Sequence, residues 1–515
     1  MSEERLNSRG LMDPSAWSRW ILPLATIAFH LVTFRQYGYF RDELYYLANG
    51  DHLGFGYVEH PPLIGLIAWA VKSSIGTSVF AVRLLPALAA GATVWLAGVL
   101  ARELGGGRFA QALSCIVTLA APCYVGLFGV FTMNAFDVLF WAVCFVILAR
   151  IFRTDDQRLW IVFGLAAGVG LENKISVLFL GFGLVAGLLL TRHRQMLTRG
   201  WVYLGGAIAA SIFLPHVLWQ WANGWPVLEF IRNATANKNV SFTPLAFLAQ
   251  QVLQTGPLSV PVWLAGLGFL LLSPGPARFR PLGWTYLAVL AVMLVTNAKP
   301  YYLAPAYTVL FAAGGVAWER AAARWGGVLL RGVLVSLVAI GGIVAAPMAK
   351  GMLSEEGFLR YQAMIGVQGA AEERHAMGRL PQFYADMHGW PELASTLGTI
   401  YRSLPETDRT RACIFARNYG EAGALELFGP QEGLPTVVSG HNSYYLWGPR
   451  GCTGEVLIVI GDNRSRLEQL FQSVEQAGAT RCTDCMPYEN DRPVWVARGM
   501  RLPLAAVWPQ VKAYN

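Results

Sequence analysis

The segment YFRDELYYLANGDHLGFGYVEHPPLIG, residues 39–65, contains four residues that could do acid–base or metal chemistry together. They are Asp42, Glu43, Glu59 and His60, and the chain on both sides of them is apolar. A carboxylate in such a setting can act as a general base toward a hydroxyl or amine nucleophile. Glu59 and His60, with one further carboxylate, form a candidate site for a divalent metal ion, the only cofactor that the sequence suggests.

A polar stripe runs through the same segment. Asp42, Tyr45, Tyr46 and Asn49 follow an i, i+3, i+4, i+7 spacing, which puts them on one face of a helix. One carboxylate, two aromatic rings and one amide predict a surface for a sugar, with the rings stacking and the polar groups binding hydroxyls.

The elements that position this segment are predicted to lie in a membrane. Of the 515 residues, 54% are hydrophobic and only 14% are charged, where a soluble domain carries roughly 25% charged residues. Apolar runs of about 15 to 20 residues recur, each nearly long enough to cross a bilayer core of roughly 30 Å. The fold class is therefore a multi-pass α-helical membrane protein. Its net charge of +8 is explained by arginines in cytoplasmic loops, so no nucleic-acid partner is predicted.

About eleven spans are expected, with the N-terminal residues 1–19 in the cytoplasm and an uncleaved first helix. The predicted spans are 20–34, 82–101, 109–127, 135–150, 159–172, 175–190, 201–220, 257–273, 282–297, 301–318 and 328–347. With this topology every inside loop is rich in arginine. The weak point is 159–190, where one span plus a buried segment is the rival interpretation.

An odd number of spans puts the C-terminal residues outside. The transmembrane domain is assigned to residues 20–347, with its catalytic outer loop at 35–80, and a small extracytoplasmic α/β domain to 348–515. Within that domain RACIFA and EVLIVIGD are typical of buried strands, and RSRLEQLFQSVEQAG (residues 464–478) predicts an amphipathic helix. A disulfide from Cys452 to Cys482 or Cys485 is expected in an extracytoplasmic domain.

Further charged residues fall at the outer ends of the predicted spans. Lysines and arginines there can bind a phosphate and stabilise it as it leaves. The candidates are Arg83, Lys174 and Lys299, with Asp137 beside them. Arg232 and Lys238, in the loop after the seventh span, are interpreted as interfacial anchors or structural ion pairs.

At these residues the chain resembles the GT-C glycosyltransferases of the protein O-mannosyltransferase and lipid A aminoarabinose-transferase superfamily, in a bacterial branch. The resemblance covers roughly residues 20–320. The motifs that carry it are RDELYYLANGD, YVEHPPLIG and the apolar stretch after it, FTMNAFDVLFWAV, GLENKISVLFL and KPYYLAPAY. The C-terminal stretches ARNYGEAGALELFG and VVSGHNSYYLWGP also look like that branch.

The resemblance implies a transferase of the bacterial inner membrane, with its site facing the periplasm. The donor would be a sugar on a polyprenyl phosphate, and the acceptor a lipid A, a polysaccharide or a protein. Asp42, in an acidic pair with Glu43, would be the general base of an inverting transfer, and Glu59 would shape the site or bind the metal. The lipid phosphate would be held by Lys174 and Lys299.

Arg83, Tyr45 and Tyr46 are further candidates for the donor site. Asp137, His60 and Asn49 are candidates for contact with the acceptor or for shaping the site. The chain departs from the family at His60, where the aminoarabinose enzymes usually have a lysine inside their E-x-P-P element. It departs again at Asn134, where many relatives carry an acid.

Two other functions fit the composition. A transporter or flippase of lipid-linked sugars would carry polar residues near the midplane of the bilayer and internal repeats, and no repeat is found. A non-catalytic sensor of envelope glycans would be expected to lose Asp42.

Overall fold

The computed structural model describes residues 14–275, 277–325, 327–367 and 373–515. They divide into two compact units. The first contains Arg83–Pro215 and Ser241–Met352, together with the described residues up to Phe34. The second contains Arg35–Val82, His216–Val240 and the described part of Leu353–Asn515. The first outer loop of the predicted topology thus belongs to the same unit as the predicted C-terminal domain.

The described residues of both units are mostly helical. The α-helices are, in chain order, α1 Pro14–Val32, α2 Arg41–Asp51, α3 Leu63–Ser74, α4 Val79–Glu103, α5 Arg108–Ala120, α6 Pro122–Leu127, α7 Met133–Thr154, α8 Leu159–Asn173, α9 Val177–Leu189, α10 Gly200–Ala222, α11 Pro226–Asn233, α12 Pro244–Thr255, α13 Val260–Leu272, α14 Arg280–Val295, α15 Tyr307–Trp325, α16 Gly327–Ala349, α17 Glu355–Ile365, α18 Gln382–Ala385, α19 Trp390–Ser403, α20 Glu406–Arg409, α21 Tyr419–Glu432, α22 Ser443–Trp447, α23 Arg464–Leu470 and α24 Leu504–Val507. The strands are β1 Ala412–Ala416, β2 Val437–Ser439, β3 Val456–Ile460, β4 Phe471–Ala479 and β5 Pro493–Met500.

Each predicted span overlaps at least one helix, but fewer than eleven of the described helices have the length and composition of a full span. Within the described residues, five helices are long and apolar enough to cross a membrane, or up to seven if each of two bent helix pairs is one span. Helices such as α8 are apolar but too short to pass the same test. A proline shortens another, because Pro122 begins a new helix inside the predicted span 109–127. The prediction of eleven spans is therefore not confirmed, although the break between α8 and α9 favours two helices over the rival interpretation.

Small residues bring the helices of the first unit together. Gly266 of α13 faces the backbone of Leu310 in α15, and Gly314 of α15 faces the backbone of Val262, so a side chain at either position would collide with the neighbouring helix. Helices in membranes associate through such close backbone approach, because apolar burial gives little driving force in lipid. The result is a closely packed helical core around the buried half of α15.

A five-stranded sheet forms the C-terminal part of the second unit, in the order β2-β1-β3-β5-β4. β1 pairs in parallel with β2 and β3, whereas β5 pairs antiparallel with β3 and β4. β3 is buried along its whole length, as its apolar sequence VLIVI predicts for a central strand covered on both faces. The two predicted strands and the small α/β domain are confirmed.

The predicted helix over residues 464–478 is wrong in its second half. The helix α23 ends at Leu470, and strand β4 begins at the next residue. Phe471 is buried, and Val474 pairs with Ala497 of β5, so pairing at the sheet edge outweighs the helical pattern of the sequence.

The disulfide prediction is also wrong. Cys452 pairs with Cys413 of β1, and their Cα atoms lie 6.0 Å apart. Cys482 pairs with Cys485 within the C-x-x-C. The spacing of cysteines cannot reveal such pairing, because it depends on which strand ends and loops become neighbours.

Candidate active site

The two predicted acids at the start of α2 have different surroundings. Glu43 is fully buried, and its Oε2 accepts a hydrogen bond of 2.7 Å from the backbone N–H of Phe40. This contact satisfies one of the unpaired amides of the helix N-terminus, so Glu43 has a structural task as a cap. Asp42 keeps part of its surface accessible. We therefore take Asp42 alone as the candidate base.

Three groups of the second unit favour the ionised form of Asp42. The Tyr419 hydroxyl donates a 2.8 Å hydrogen bond to its Oδ1. Burial raises the pKa of Asp42, whereas the hydrogen bond from Tyr419 and the positive charges of Lys238 and Arg41 lower it. Lys238 also forms an ion pair of 3.6 Å with Glu373. This ion pair agrees with the structural interpretation of Lys238, and its charge also acts on the candidate base.

Glu59 lies beside the same helix. The Tyr45 hydroxyl lies 3.2 Å from its Oε2 and 2.7 Å from Ser443 Oγ, and the backbone N–H of Val58 donates to the same Ser443 oxygen. Burial raises the pKa of Glu59 to about 8, and the negative charge of Asp42 adds to that effect. Glu59 is thus largely protonated at neutral pH. Two neighbouring carboxyl groups in unlike environments are the usual arrangement for different roles in catalysis.

His60 is held by hydrogen bonds on both ring nitrogens. Its Nε2 lies 3.0 Å from the amide nitrogen of Asn49, and its Nδ1 lies 2.9 Å from the carbonyl oxygen of Pro61. The Asn49 amide donates to Nε2, and Nδ1 carries the ring proton and donates it to the Pro61 carbonyl. Neither ring nitrogen is therefore available to a metal ion. Burial lowers the pKa of His60 to about 4.

The residues present therefore do not fit the predicted divalent metal site at Glu59 and His60. A metal ion needs several protein ligands around it. Among the described residues, no group of three or more histidine, cysteine, aspartate and glutamate side chains could hold a metal ion.

The predicted sugar-stacking surface on α2 needs a correction. The helix forms as expected, but Tyr45 and Tyr46 are only 1% and 4% exposed. Tyr45 packs against the ring of Tyr419 at 4.8 Å between centroids, and Tyr46 packs against His60 at 5.2 Å. Both rings are used inside the protein. They support the polar groups of the site and offer no open face to a sugar.

Arg41, which precedes Asp42, is also part of this arrangement. It is buried, with its guanidinium 4.8 Å from the centre of the Tyr419 ring. Its Nη1 donates a 2.7 Å hydrogen bond to the hydroxyl of Tyr488, and its backbone N–H donates to the carbonyl of Asp386. A guanidinium held this way keeps a fixed positive charge next to the candidate base.

In the first unit, two of the predicted residues come together. Lys174 Nζ lies 2.6 Å from the side-chain oxygen of Asn134 and 3.6 Å from Asp137 Oδ2, and it also faces the ring of Tyr302 at 4.6 Å. Asp137 is buried and accepts a further hydrogen bond from Ser176. Asp137, three residues after Asn134, thus contacts the same lysine as Asn134 does.

The other two predicted cations of the first unit have different settings. Arg83 is buried and donates a 3.0 Å hydrogen bond to the carbonyl of Phe34. Lys299 is half-buried and directly precedes the short helix Pro300–Ala306. Their contact with a lipid phosphate stays a prediction.

Sequence reasoning missed the residues of the C-terminal part that reach the first-loop helix. Tyr419 and Ser443 are separated from Asp42 and Tyr45 by 377 and 398 positions. The one available signal was the pair of motifs ARNYGEAGALELFG and VVSGHNSYYLWGP, which contain these two residues and to which no role in the site was assigned.

Comparison with known proteins finds similarity in both sequence and fold. Residues 59–219 match the family model described as dolichyl-phosphate-mannose-protein mannosyltransferase. Over 181 aligned residues, the chain is 29% identical to undecaprenyl phosphate-alpha-4-amino-4-deoxy-L-arabinose arabinosyl transferase 1 of Pseudomonas fluorescens. That alignment covers 31% of this chain and 32% of the relative, so the chain matches about a third of the length of this curated relative.

Similarity of fold extends further than similarity of sequence. The crystal structure of ArnT from Cupriavidus metallidurans bound to undecaprenyl phosphate aligns with a TM-score of 0.60 at 15% identity, covering 94% of this chain and 98% of that one. The Archaeoglobus fulgidus oligosaccharyltransferase in complex with Zn and sulfate aligns with a TM-score of 0.50 at 11% identity, covering 86% and 68%. The chain therefore shares its fold with these enzymes, and its residues 59–219 are similar in sequence to the mannosyltransferase family.

Proposed function

We propose that the chain is an inverting glycosyltransferase of the bacterial inner membrane. It moves a sugar from a polyprenyl-phosphate donor to a lipid, polysaccharide or protein acceptor of the envelope, at the periplasmic face. The family match and the fold of the arabinosyl transferase support the donor class.

The carboxylate of Asp42 carries the proposal. It is partly accessible at the start of α2, accepts a hydrogen bond from Tyr419, and has Glu59 as a largely protonated neighbour. A base must be ionised and reachable at the working pH, and the charges of Arg41 and Lys238 favour the ionised state.

The proposed reaction balances without a cofactor. Asp42 takes the proton of an acceptor hydroxyl or amine while the acceptor atom attacks the anomeric carbon of the sugar. The bond between that carbon and the phosphate oxygen breaks, and its electron pair leaves with the polyprenyl phosphate. Because attack occurs opposite to the leaving group, the configuration of the sugar is inverted. Glu59 carries no charge when it is protonated, so it does not repel the departing phosphate.

The cations of the first unit are proposed as contacts of the lipid phosphate. Lys174 lies in a mostly buried setting beside Asp137, where a charge-assisted hydrogen bond to a phosphate oxygen is strong. Lys299 and Arg83 are proposed for the same task.

The test compares cells that make the wild-type protein with cells that make Asp42→Asn at equal membrane levels. The masses of envelope glycolipids, polysaccharides and glycoproteins are measured in both. The amide keeps the size of the side chain and its contact with Tyr419 but cannot accept the acceptor proton. Asp51→Asn is the matched control, since Asp51 ends the same helix and is exposed.

The expected result is the loss of a sugar-sized mass in Asp42→Asn and its retention in Asp51→Asn. The lost mass and its carrier then give the sugar class and the acceptor. Equal masses in all three strains would contradict the general-base assignment, and sugar-linked lipid accumulating on the cytoplasmic leaflet without the protein would point to transport.

A further inference from the structure

The motif ARNYGEAGALELFG, residues 416–429, forms a sharply defined junction between β1 and α21. The side-chain oxygen of Asn418 accepts hydrogen bonds from the backbone N–H groups of Gly420 and Glu421, at 2.9 and 3.0 Å. This cap fixes the first residue of the helix at Tyr419. The position of Tyr419 is therefore set by the end of the sheet.

Two glycines of α21 allow it to approach α2 closely. A side-chain carbon at Gly420 would lie 2.6 Å from Cγ of Arg41, and one at Gly423 would lie 2.8 Å from the backbone carbonyl of Leu44. A side chain at Gly423 cannot be accommodated by a change of rotamer, because the atoms that it would meet belong to the backbone of Leu44. The small residues thus bring the first turn of α21 against the first turn of α2.

The side chain of Tyr419 is held on several sides. Its backbone N–H donates to Nδ1 of His441 at 3.2 Å, and the two rings pack at 4.9 Å between centroids. His441 Nε2 lies 3.0 Å from the carbonyl oxygen of Asn515, which fixes the orientation of the imidazole. Tyr419 is only 8% exposed, with the ring of Tyr45 on another side. Its hydroxyl reaches Asp42 from a preorganised position.

We propose that Tyr419 is a positioning residue for the transfer reaction, and that the C-terminal α/β domain completes the active site by holding and orienting the Asp42 carboxylate. This inference rests on the function proposed above. A hydroxyl donating to one carboxylate oxygen fixes the plane of the carboxylate and stabilises its ionised form. The motif ARNYGEAGALELFG then has a role in catalysis without touching the substrate.

The pH dependence of this arrangement has a definite sign. Burial raises the pKa of Asp42, and the hydrogen bond from Tyr419 lowers it. Loss of the hydroxyl raises the pKa of the base. The increase of the rate with pH should therefore be centred at a higher pH in the variant than in the wild type. The other charged groups that act on Asp42 are left unchanged by this substitution; they are Arg41, Lys238, Glu373, Glu59 and Asp386.

The experiment uses the full-length protein and Tyr419→Phe, which removes one oxygen and keeps the ring. The rate is followed as release of undecaprenyl phosphate from undecaprenyl-phosphate-linked 4-amino-4-deoxy-L-arabinose or mannose, whichever the wild type turns over, between about pH 5 and 9. The matched control is Tyr401→Phe, which removes a hydroxyl that donates to the carbonyl of Arg409 in the same unit, away from α2.

Tyr419→Phe should be slowed about tenfold at neutral pH and should recover part of its rate as the pH rises, whereas Tyr401→Phe should behave as the wild type. An unchanged rate and pH profile in Tyr419→Phe, with Asp42→Asn inactive, would refute the inference and leave the proposed function standing. A uniform loss with an unmoved pH profile would indicate a purely structural role and also refute it. An active Asp42→Asn would instead refute the proposed function.

Discussion

Replacement of Glu59 by glutamine is predicted to remove an alkaline decline in activity. The pKa of Glu59 is raised to about 8, chiefly by burial. At pH 7 about ten molecules carry protonated Glu59 for each that carries it ionised, and at pH 9 that ratio is reversed. If ionised Glu59 repels the donor phosphate, kcat/KM of the wild type falls to half near pH 8 and then about tenfold for each further pH unit.

Glu59→Gln is neutral at every pH and keeps an oxygen for the Tyr45 hydroxyl. Its kcat/KM for the lipid donor should stay within a few-fold of wild type at pH 7 and should not decline between about pH 8 and 9. The assay measures release of undecaprenyl phosphate at sub-saturating donor. Glu392→Gln, an exposed change in α19, controls for the loss of a carboxylate. A glutamine variant whose kcat/KM still declines between about pH 8 and 9 would refute the assignment of that decline to Glu59.

The same shift predicts a thermal effect. The unfolded chain loses the Glu59 proton near its ordinary pKa of 4.5, whereas the folded chain retains it to about 8. The folded state therefore loses stability as the pH rises between these values. A Tm that falls less with pH in Glu59→Gln than in the wild type would confirm the sign.

Two further substitutions test other parts of the chain. Lys174→Gln should raise the KM for the lipid donor about tenfold with a smaller change in kcat, because a charge-assisted contact to the phosphate is lost. Steady-state kinetics measure both constants. An unchanged KM would exclude Lys174 from the phosphate site. Replacement of both Cys413 and Cys452 by alanine should destabilise the C-terminal domain by about 2 to 4 kcal/mol, since the bond closes a loop with a sequence separation of 39. Thermal unfolding of that variant beside Cys115→Ala, a buried cysteine outside any disulfide, measures the loss, and equal Tm values would contradict the expectation.

Local patterns in the sequence predicted the elements well. Apolar runs gave a helix at each predicted span, and the i, i+3, i+4, i+7 stripe gave α2. These features depend on hydrophobic periodicity and helix length, which are properties of short segments. The predicted number of spans is not confirmed, and Pro122 breaks one apolar run that composition alone treats as continuous.

The environment of each candidate residue was not available from local patterns. Glu43 and Asp42 are adjacent acids, yet one caps a helix and the other remains partly accessible. Tyr45 and Tyr46 have the composition of a sugar platform but are buried, with Tyr45 against Tyr419 and Tyr46 against His60. Burial and pairing come from tertiary packing, and a stripe of polar residues does not reveal what covers it.

The dependence of α2 on distant segments follows from its size. A helix of 11 residues is too short to be stable alone in water, where roughly 12 to 15 residues are needed even for favourable sequences. Its stability must come from packing, and nine of its residues are buried, against α3 and α21 among others. The geometry of Asp42 is consequently set by residues nearly 400 positions away. If this reasoning holds, a change that loosens α21, such as Gly423→Ala, should impair the transfer reaction through α2 without altering any residue that touches the substrate.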